Sequence, residues 1–251
     1  MVMELEYLIF EQKANYGIVR INRPEKRNAL NLDLLEEIRK MFKYLKEKQD
    51  LEIIILTGFK DESTSYFSSG IDLNLIKNIN SESKDEKELS KSIQNLQSTL
   101  DAIEDVGKVV IAQITGYCFG SGLEVALACD FIVASPETKF ALIETKFGII
   151  PDLGGTYRLI RRVGYQFAKQ IIMLADTFDS HEAYRMGLIN WITPLNDIEK
   201  FIEGIVDQIK KNHFSAVIEA KSLIDKIHPI NRKESSALER ETQIKLISKS
   251  I

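Results

Sequence analysis

Two apolar runs of similar build constrain the fold most. Leu51-Glu52-Ile53-Ile54-Ile55-Leu56 and Lys108-Val109-Val110-Ile111-Ala112-Gln113-Ile114 both end in Thr-Gly, at Thr57-Gly58 and Thr115-Gly116. Both then lead through a loop of small residues towards a helical pattern. Continuous apolar runs of this length, rich in β-branched residues, read as strands buried on both faces, as in parallel sheets covered by helices. The fold class is therefore α/β. The echo between the runs admits a stacked coil of repeated strand and helix units or an ordinary doubly wound sheet, and periodicity alone leaves both open.

The flanking segments agree with this class. Leu5 to Ile21 alternates like two strands around a hairpin turn at Lys13-Ala14-Asn15-Tyr16-Gly17. Asn31 or Asp33 is placed to cap a helix running to about Glu47, with Leu34, Leu35, Ile38, Met41, Phe42 and Leu45 at helical spacing. A Ser-rich loop ends in Ser68-Ser69-Gly70-Ile71-Asp72, and a charged helical pattern runs from Asp85 to about Glu104. The last sixty or so residues carry three amphipathic stretches, the clearest being Ile198, Phe201, Ile202, Ile205, Val206 and Ile209. These observations divide the chain into a core of residues 1–195 and a helical region of 196–251. With 251 residues and 44% apolar content, the chain can bury a substantial core.

Composition narrows the function classes. A net charge of −4 with no long basic block gives no sign of a nucleic-acid or anionic-membrane partner. Cys118 and Cys129 do not form a CxxC pair, and His181, His213 and His228 are scattered, so no metal site is expected. Nothing reads as a signal peptide or a bilayer span, which makes the cytoplasm the expected location.

Chemistry is concentrated between Gly116 and Thr156. Gly120-Ser121-Gly122 opens a helix, where unpaired N–H groups and the positive helix end favour an anion, and Glu124 follows one turn in. The loop is not a dinucleotide fingerprint, because Val125 stands where the third glycine belongs, and no Walker lysine follows. Nor is it a nucleophile elbow, whose second glycine would fall at Leu123. Taken singly, Glu124 reads as a helix-start acid, Glu144 as a strand-end acid and Asp152 as a turn residue capping Gly154-Gly155.

Taken together, the motifs resemble the enoyl-CoA hydratase/isomerase, or crotonase, superfamily. Ile21-Asn22-Arg23-Pro24-Glu25-Lys26-Arg27-Asn28-Ala29-Leu30 looks like its first signature, and Phe67 to Leu73 like its first oxyanion segment, usually with Ala in place of Ile71. Gly116 to Asp130 and Gly148 to Leu159 resemble its next two blocks, and His181 to Leu188 the turn into its C-terminal helices. The resemblance spans nearly the whole chain. It implies a spiral of repeated ββα units with a C-terminal helical trimerisation region, assembled as a homotrimer or hexamer. It also implies an acyl-CoA thioester substrate, with no cofactor beyond the coenzyme A that belongs to that substrate.

By motif position, the backbone N–H groups of Ile71 and Ser121 would form the oxyanion hole for a thioester enolate. Main-chain donors tolerate a change of side chain, and losing one typically costs about a hundred- to a thousandfold in rate. Hydratases of this family carry glutamates at both positions held by Glu124 and Glu144. The first would activate water towards C3 and the second would protonate C2, as in fatty acid β-oxidation. A residue placed like Asp152 supplies an acid in dienoyl-CoA isomerases and some enoyl-CoA isomerases, which makes isomerisation the alternative. A non-catalytic interaction or RNA-binding role on the same fold is the reading from a different class. Lys26, Arg27, Ala29, Ser69, Gly70, Ile71, Asp72, Leu73 and Gly120 fall where relatives contact the coenzyme or substrate, and Asn80 to Lys91 would border the acyl tail. Many relatives continue past the position of Ile251 into a helix that helps close the coenzyme site, so a contact from that tail to the 3′-phosphate is not expected here.

Overall fold

The computed structural model describes residues 2–14, 16–60, 65–72, 75, 86–227 and 231–249. The predicted N-terminal hairpin pairs β2 (Leu8–Gln12) with β3 (Gly17–Ile21), and β1 (Val2–Glu4) joins its outer edge, both antiparallel. The two Thr-Gly runs become β4 (Ile53–Thr57) and β7 (Val109–Ile114). With β3, β9 (Phe131–Ala134) and β12 (Trp191–Ile192) they form the parallel part of a seven-stranded sheet of order β1-β2-β3-β4-β7-β9-β12.

A second sheet of five strands has the order β11-β10-β8-β6-β5. Its members are β5 (Phe59–Lys60), β6 (Ser65–Ser68), β8 (Tyr117–Phe119), β10 (Lys139–Ala141) and β11 (Phe178–Asp179). Here β6, β8 and β10 run parallel, in the same sequence order as β4, β7 and β9 in the large sheet. Each repeat therefore gives one strand to each sheet and advances by one position, which selects the stacked spiral over the doubly wound sheet. Strands of two to four residues carry too little alternation to be read from sequence, so 59–72 looked like loop.

The Thr-Gly echo marks the corners of this spiral. A Cβ on Gly58 would lie 2.0 Å from the Tyr66 carbonyl oxygen, and one on Gly116, at φ +72°, would lie 1.8 Å from that of Ser65. Only glycine lets the chain leave the large sheet against the backbone entering the small one.

Both faces of the large sheet are covered, which explains the continuous apolar runs. Ile54, Leu56, Val110 and Ala112 face the main core with α1 (Leu32–Lys46), α2 (Glu86–Glu104), α3 (Ser121–Leu127) and α4 (Gly155–Leu174). Ile53, Ile55, Val109, Ile111 and Val133 face outward under Ile198, Ile202, Ile205 and Val206 of α6 (Ile198–Lys210). Asn31 caps α1, its side chain accepting from the Leu34 amide at 2.9 Å. The charged helix α2 buries Leu89, Ile93, Leu96, Leu100 and Ile103 and packs on α1. After α5 (Ser180–Arg185) and α6 come α7 (Phe214–Ile227) and α8 (Arg232–Lys249), and α8 returns across α2 and α4.

Candidate active site

The first wall is built by the segment from Asn22 to Leu30. Arg27 and Asn28 both take left-handed backbone, at φ 52° and 55°, a conformation Asn tolerates better than most residues. The buried Asn28 side chain donates to the carbonyls of Ile21, Tyr66 and Phe67 at 3.2, 2.9 and 3.2 Å and accepts from the Arg23 amide at 2.8 Å. Ser68 Oγ donates to the Asn28 carbonyl at 2.8 Å and accepts from the Gly70 amide at 3.1 Å. Arg23 pairs with Asp72 at 2.8 Å. These bonds fix the path of residues 68–72. A single bridge then joins Leu30 and Ile71 through the Leu30 amide to the Gly70 carbonyl and the Asp72 amide to the Leu30 carbonyl, a pattern that does not use the Ile71 amide.

The second wall is α3. Gly120 is its N-cap and supplies no side chain, while its carbonyl accepts from the Leu123 and Glu124 amides at 2.8 and 3.1 Å. Ser121 opens the helix, where an N–H has no intrahelical acceptor. A Cβ on Gly120 would stand 3.0 Å from Glu144 Oε1 and 3.6 Å from the Gly70 Cα. The Gly70-Ile71 and Gly120-Ser121 peptides and the Glu144 carboxyl therefore meet at one place.

Glu144 begins a short 3-10 turn (Glu144–Phe147) after β10 and is 7% exposed. Among the described residues, neither of its buried carboxyl oxygens has a hydrogen-bond partner. Burial, with the charge of Asp152 beside it, pushes its pKa up to about 7. Glu124 lies in the first turn of α3, 1% exposed, and its Oε1 accepts from the Leu153 and Gly155 amides, both at 3.0 Å. Burial and the charges of Glu144, Asp152 and Glu239 raise Glu124 as well, opposed by the Leu153 N–H. The two amide donors favour the ionised form of Glu124, and neither acts on Glu144.

Asp152 is partly buried, and burial lifts its carboxyl to about 7. It does not cap the next helix as the turn pattern suggested. The N-cap of α4 is Gly154 without a side-chain cap, and the first-turn amides are taken by Glu124 and by Glu239 from α8.

Two adjoining cavities open on this point. One, of about 290 Å³, is lined by Ala29, Ser69, Gly70, Ile71, Asp72, Gly120, Ile143, Glu144, Phe147 and Ile149. A smaller one of about 50 Å³ is lined by Ile71, Ser121, Glu144 and Asp152 together with apolar side chains and Gln243. The structure thus brings Ala29, Ser69, Gly70, Ile71, Asp72, Gly120, Ser121, Glu144 and Asp152 to one site, with Glu124 buried beside it. Lys26 and Arg27 are exposed and line neither cavity, although their carbonyls accept from Ser69 Oγ and the Ser69 amide. Leu73 and residues 80–85 of the Asn80–Lys91 stretch lie outside the described residues.

Larger clefts of about 730 and 570 Å³ adjoin α7. Their Glu104, Arg158, Arg161, Asp225 and Arg232 are joined in ion pairs, as are Lys221 and Asp130, so among the described residues these clefts offer no buried free carboxyl. Sequence reasoning missed Gln97, Glu239 and Gln243, which reach the site from α2 and α8. They sit in charged helices, and no local pattern sets them apart. Among the described residues, no three His, Cys, Asp or Glu side chains could together hold a metal ion, and no helix is long and apolar enough to cross a membrane.

Comparison with known proteins follows this geometry. The enoyl-CoA hydratase/isomerase family model matches residues 11–250. The chain is 34% identical over 207 residues to a crotonyl-CoA hydratase of Syntrophomonas wolfei, covering 82% of this chain and 76% of that protein. It is 36% identical over 177 residues to a peroxisomal Δ(3,5)-Δ(2,4)-dienoyl-CoA isomerase of Arabidopsis thaliana, covering 68% and 62%. The crystal structure of an enoyl-CoA hydratase from Bacillus halodurans superposes with a TM-score of 0.88 at 26% identity, covering 98% of this chain and 96% of that one. The chain belongs to the enoyl-CoA hydratase/isomerase family.

Proposed function

We propose that this protein is an enoyl-CoA hydratase, adding water across the 2,3 double bond of a 2-enoyl-CoA. One observation carries the reading: a buried carboxyl with no hydrogen-bond partner among the described residues, Glu144, stands against Gly120 and lines the same small cavity as Ile71 and Ser121. A buried polar group left unmatched in the resting protein is costly, and a role in the reaction explains why that cost is kept.

In the reaction, the thioester carbonyl oxygen accepts from the Ile71 and Ser121 amides, which stabilise negative charge as it develops there. Glu124, ionised and oriented by the Leu153 and Gly155 amides, takes a proton from water as the water oxygen bonds to C3. The resulting enolate collapses as Glu144 delivers its proton to C2. The atoms of one water are thereby added, and a proton passes from Glu124 back to Glu144 before the next turnover. The coenzyme end of the substrate lies along Ala29, Ser69 and Gly70, with Lys26, Arg27 and Leu73 nearby in the chain. Residues 1–195 carry the reacting groups of the thioester site, and the helical region 196–251, besides lending Gln243 to the small cavity, supplies contacts for a homotrimer, alone or paired into a hexamer.

The test is loss of the enoyl-thioester absorbance of crotonyl-CoA. The parent protein is expected to consume it, with Glu124→Gln and Glu144→Gln each slowed by about a thousandfold. Asp152, facing the same small cavity as Glu144, favours one alternative. Silence with crotonyl-CoA and turnover of a 3-enoyl-CoA or dienoyl-CoA would make the protein an isomerase with Asp152 as its second acid.

A further inference from the structure

The first turn of α4 is held from two sides by carboxyl groups that share its amides. Glu124 takes the Leu153 and Gly155 N–H groups, both at 3.0 Å. Glu239 of α8 takes the Gly154 and Tyr157 N–H groups at 2.8 and 3.3 Å. Four amides within five residues are thus divided between the catalytic helix and the C-terminal helix.

Other bonds from α2 and α8 fasten the same turn. Gln243 Oε1 accepts from the Ile150 amide at 3.0 Å, and Gln97 Nε2 donates to the Asp152 carbonyl at 2.7 Å and to the Ser236 carbonyl at 3.1 Å. Arg240 in turn donates to Gln97 Oε1 at 2.6 Å. There is no slack on the opposite side, since a Cβ on Gly155 would fall 2.4 Å from Glu124 Oε1. A turn displaced by a few tenths of an ångström would carry both Glu124 donors with it.

We infer that Glu239 is a positioning residue for the reaction: by capping the first turn of α4 from the C-terminal helix, it holds the Leu153 and Gly155 amides against Glu124. The inference rests on Glu124 acting as base in the proposed hydration. Its burial is expensive, since Glu239 is 5% exposed and burial lifts its carboxyl to about 8. The charged and titratable groups around Glu124 are Glu144, Asp152 and Glu239, with Arg158 behind the turn, its Nη1 donating to the Leu153 and Gly154 carbonyls.

The two ways in which Glu239 can act on Glu124 have opposite signs. If it positions the amides, its removal takes donors from Glu124 and raises the Glu124 pKa, so the acid limb of the kcat profile moves up in pH. If only its negative charge matters, removal lowers the Glu124 pKa and moves the limb down. Glu239→Ala is expected to lower kcat for crotonyl-CoA about 10- to 100-fold with KM within about threefold, and to move the acid limb up by about one pH unit. Glu239→Gln, which keeps a side-chain oxygen as acceptor, is expected to restore most of kcat and the position of the limb.

An Ala variant that melts earlier but keeps the parent's kcat and acid limb would overturn the inference, as would a limb that moves down. Titration of the Glu124 carboxyl by 13C NMR in the parent and in Glu239→Gln and Glu239→Ala reads the same shift without turnover. If the parent is silent with crotonyl-CoA, the hydratase reading fails. The positioning role then stands only if the Glu124 midpoint rises in the Ala variant, and an unmoved midpoint removes it.

Discussion

The first turn of α4 separates two groups of buried acids that meet opposite fates. On one side, Glu104 of α2 receives Arg158 Nη2 at 2.8 Å, Arg161 at 2.8 Å and Arg232 at 3.2 Å. Burial pushes its carboxyl up, yet the Arg158 charge and hydrogen bonds, with Arg232 and Arg161, hold it down at about 2. On the other side, Glu144 and Asp152 are lifted to about 7 and Glu239 to about 8, with burial the leading cause in each case. Arg158 also fastens the turn itself, donating to the Leu153 and Gly154 carbonyls. Burial alone therefore does not distinguish a structural acid from a reactive one. What distinguishes them is whether cations accompany the carboxyl inward.

The largest effect expected from this contrast is on rate. Replacing Glu144 by Gln removes the proton donor and should slow hydration by about a thousandfold, whereas Glu104→Gln should leave kcat within about threefold. A comparable loss in both would erase the distinction. On stability the order reverses. Glu104→Gln leaves Arg158, which is 2% exposed at its side chain, with Asp101 as its remaining carboxylate partner, and should cost about 3 kcal/mol, read as a melting temperature lower by roughly 6–12 °C.

The pH dependence of these two stability terms also has opposite sign. The folded pKa of Glu104 is depressed, so its contribution is present above about 4.5 and is lost as the pH falls towards about 2. The folded pKa of Glu144 is raised, so between about 4.5 and about 7 the native state binds more protons than the unfolded state, and stability falls as the pH rises through that window. Glu144→Gln should therefore raise the melting temperature by several degrees at pH about 8, and by little at pH about 4. A gain of equal size at both values would mean that Glu144 is not a strained acid.

How much of this was readable in the chain depends on the range of the interaction. The Thr-Gly runs were readable only as an echo that left the spiral and the doubly wound sheet both open, because the close approaches that make Gly58 and Gly116 corners are to Tyr66 and Ser65 on another strand. Asn31 was readable as a cap because its partner, Leu34, is three residues away. The positions of Ile71, Ser121, Glu124 and Glu144 followed from motif resemblance, and the structure brings these residues together. Glu239 was invisible because its partner amides are 85 and 82 residues distant and its helix reads as a solvated charged face. Asn28 was passed over for a similar reason. The motif drew attention to Lys26, Arg27 and Ala29 as coenzyme contacts, while Asn28 between them bonds to Tyr66, Phe67 and Ser68, 38 to 40 residues away.

Asp152 is the sharpest case, because it shares the small cavity with Glu144 but has no role in the proposed hydration. Its charge is one cause of the raised Glu144 pKa, so as the pH climbs past about 7 an ionising Asp152 helps Glu144 keep its proton. Asp152→Asn removes that assistance without removing a donor or a base. Hydration of crotonyl-CoA should then fall by less than about tenfold at pH 7, with the alkaline limb of kcat moved slightly to lower pH. A loss beyond about a hundredfold would place Asp152 among the groups that handle the proton, and the unpaired side of the turn would hold three catalytic acids instead of two.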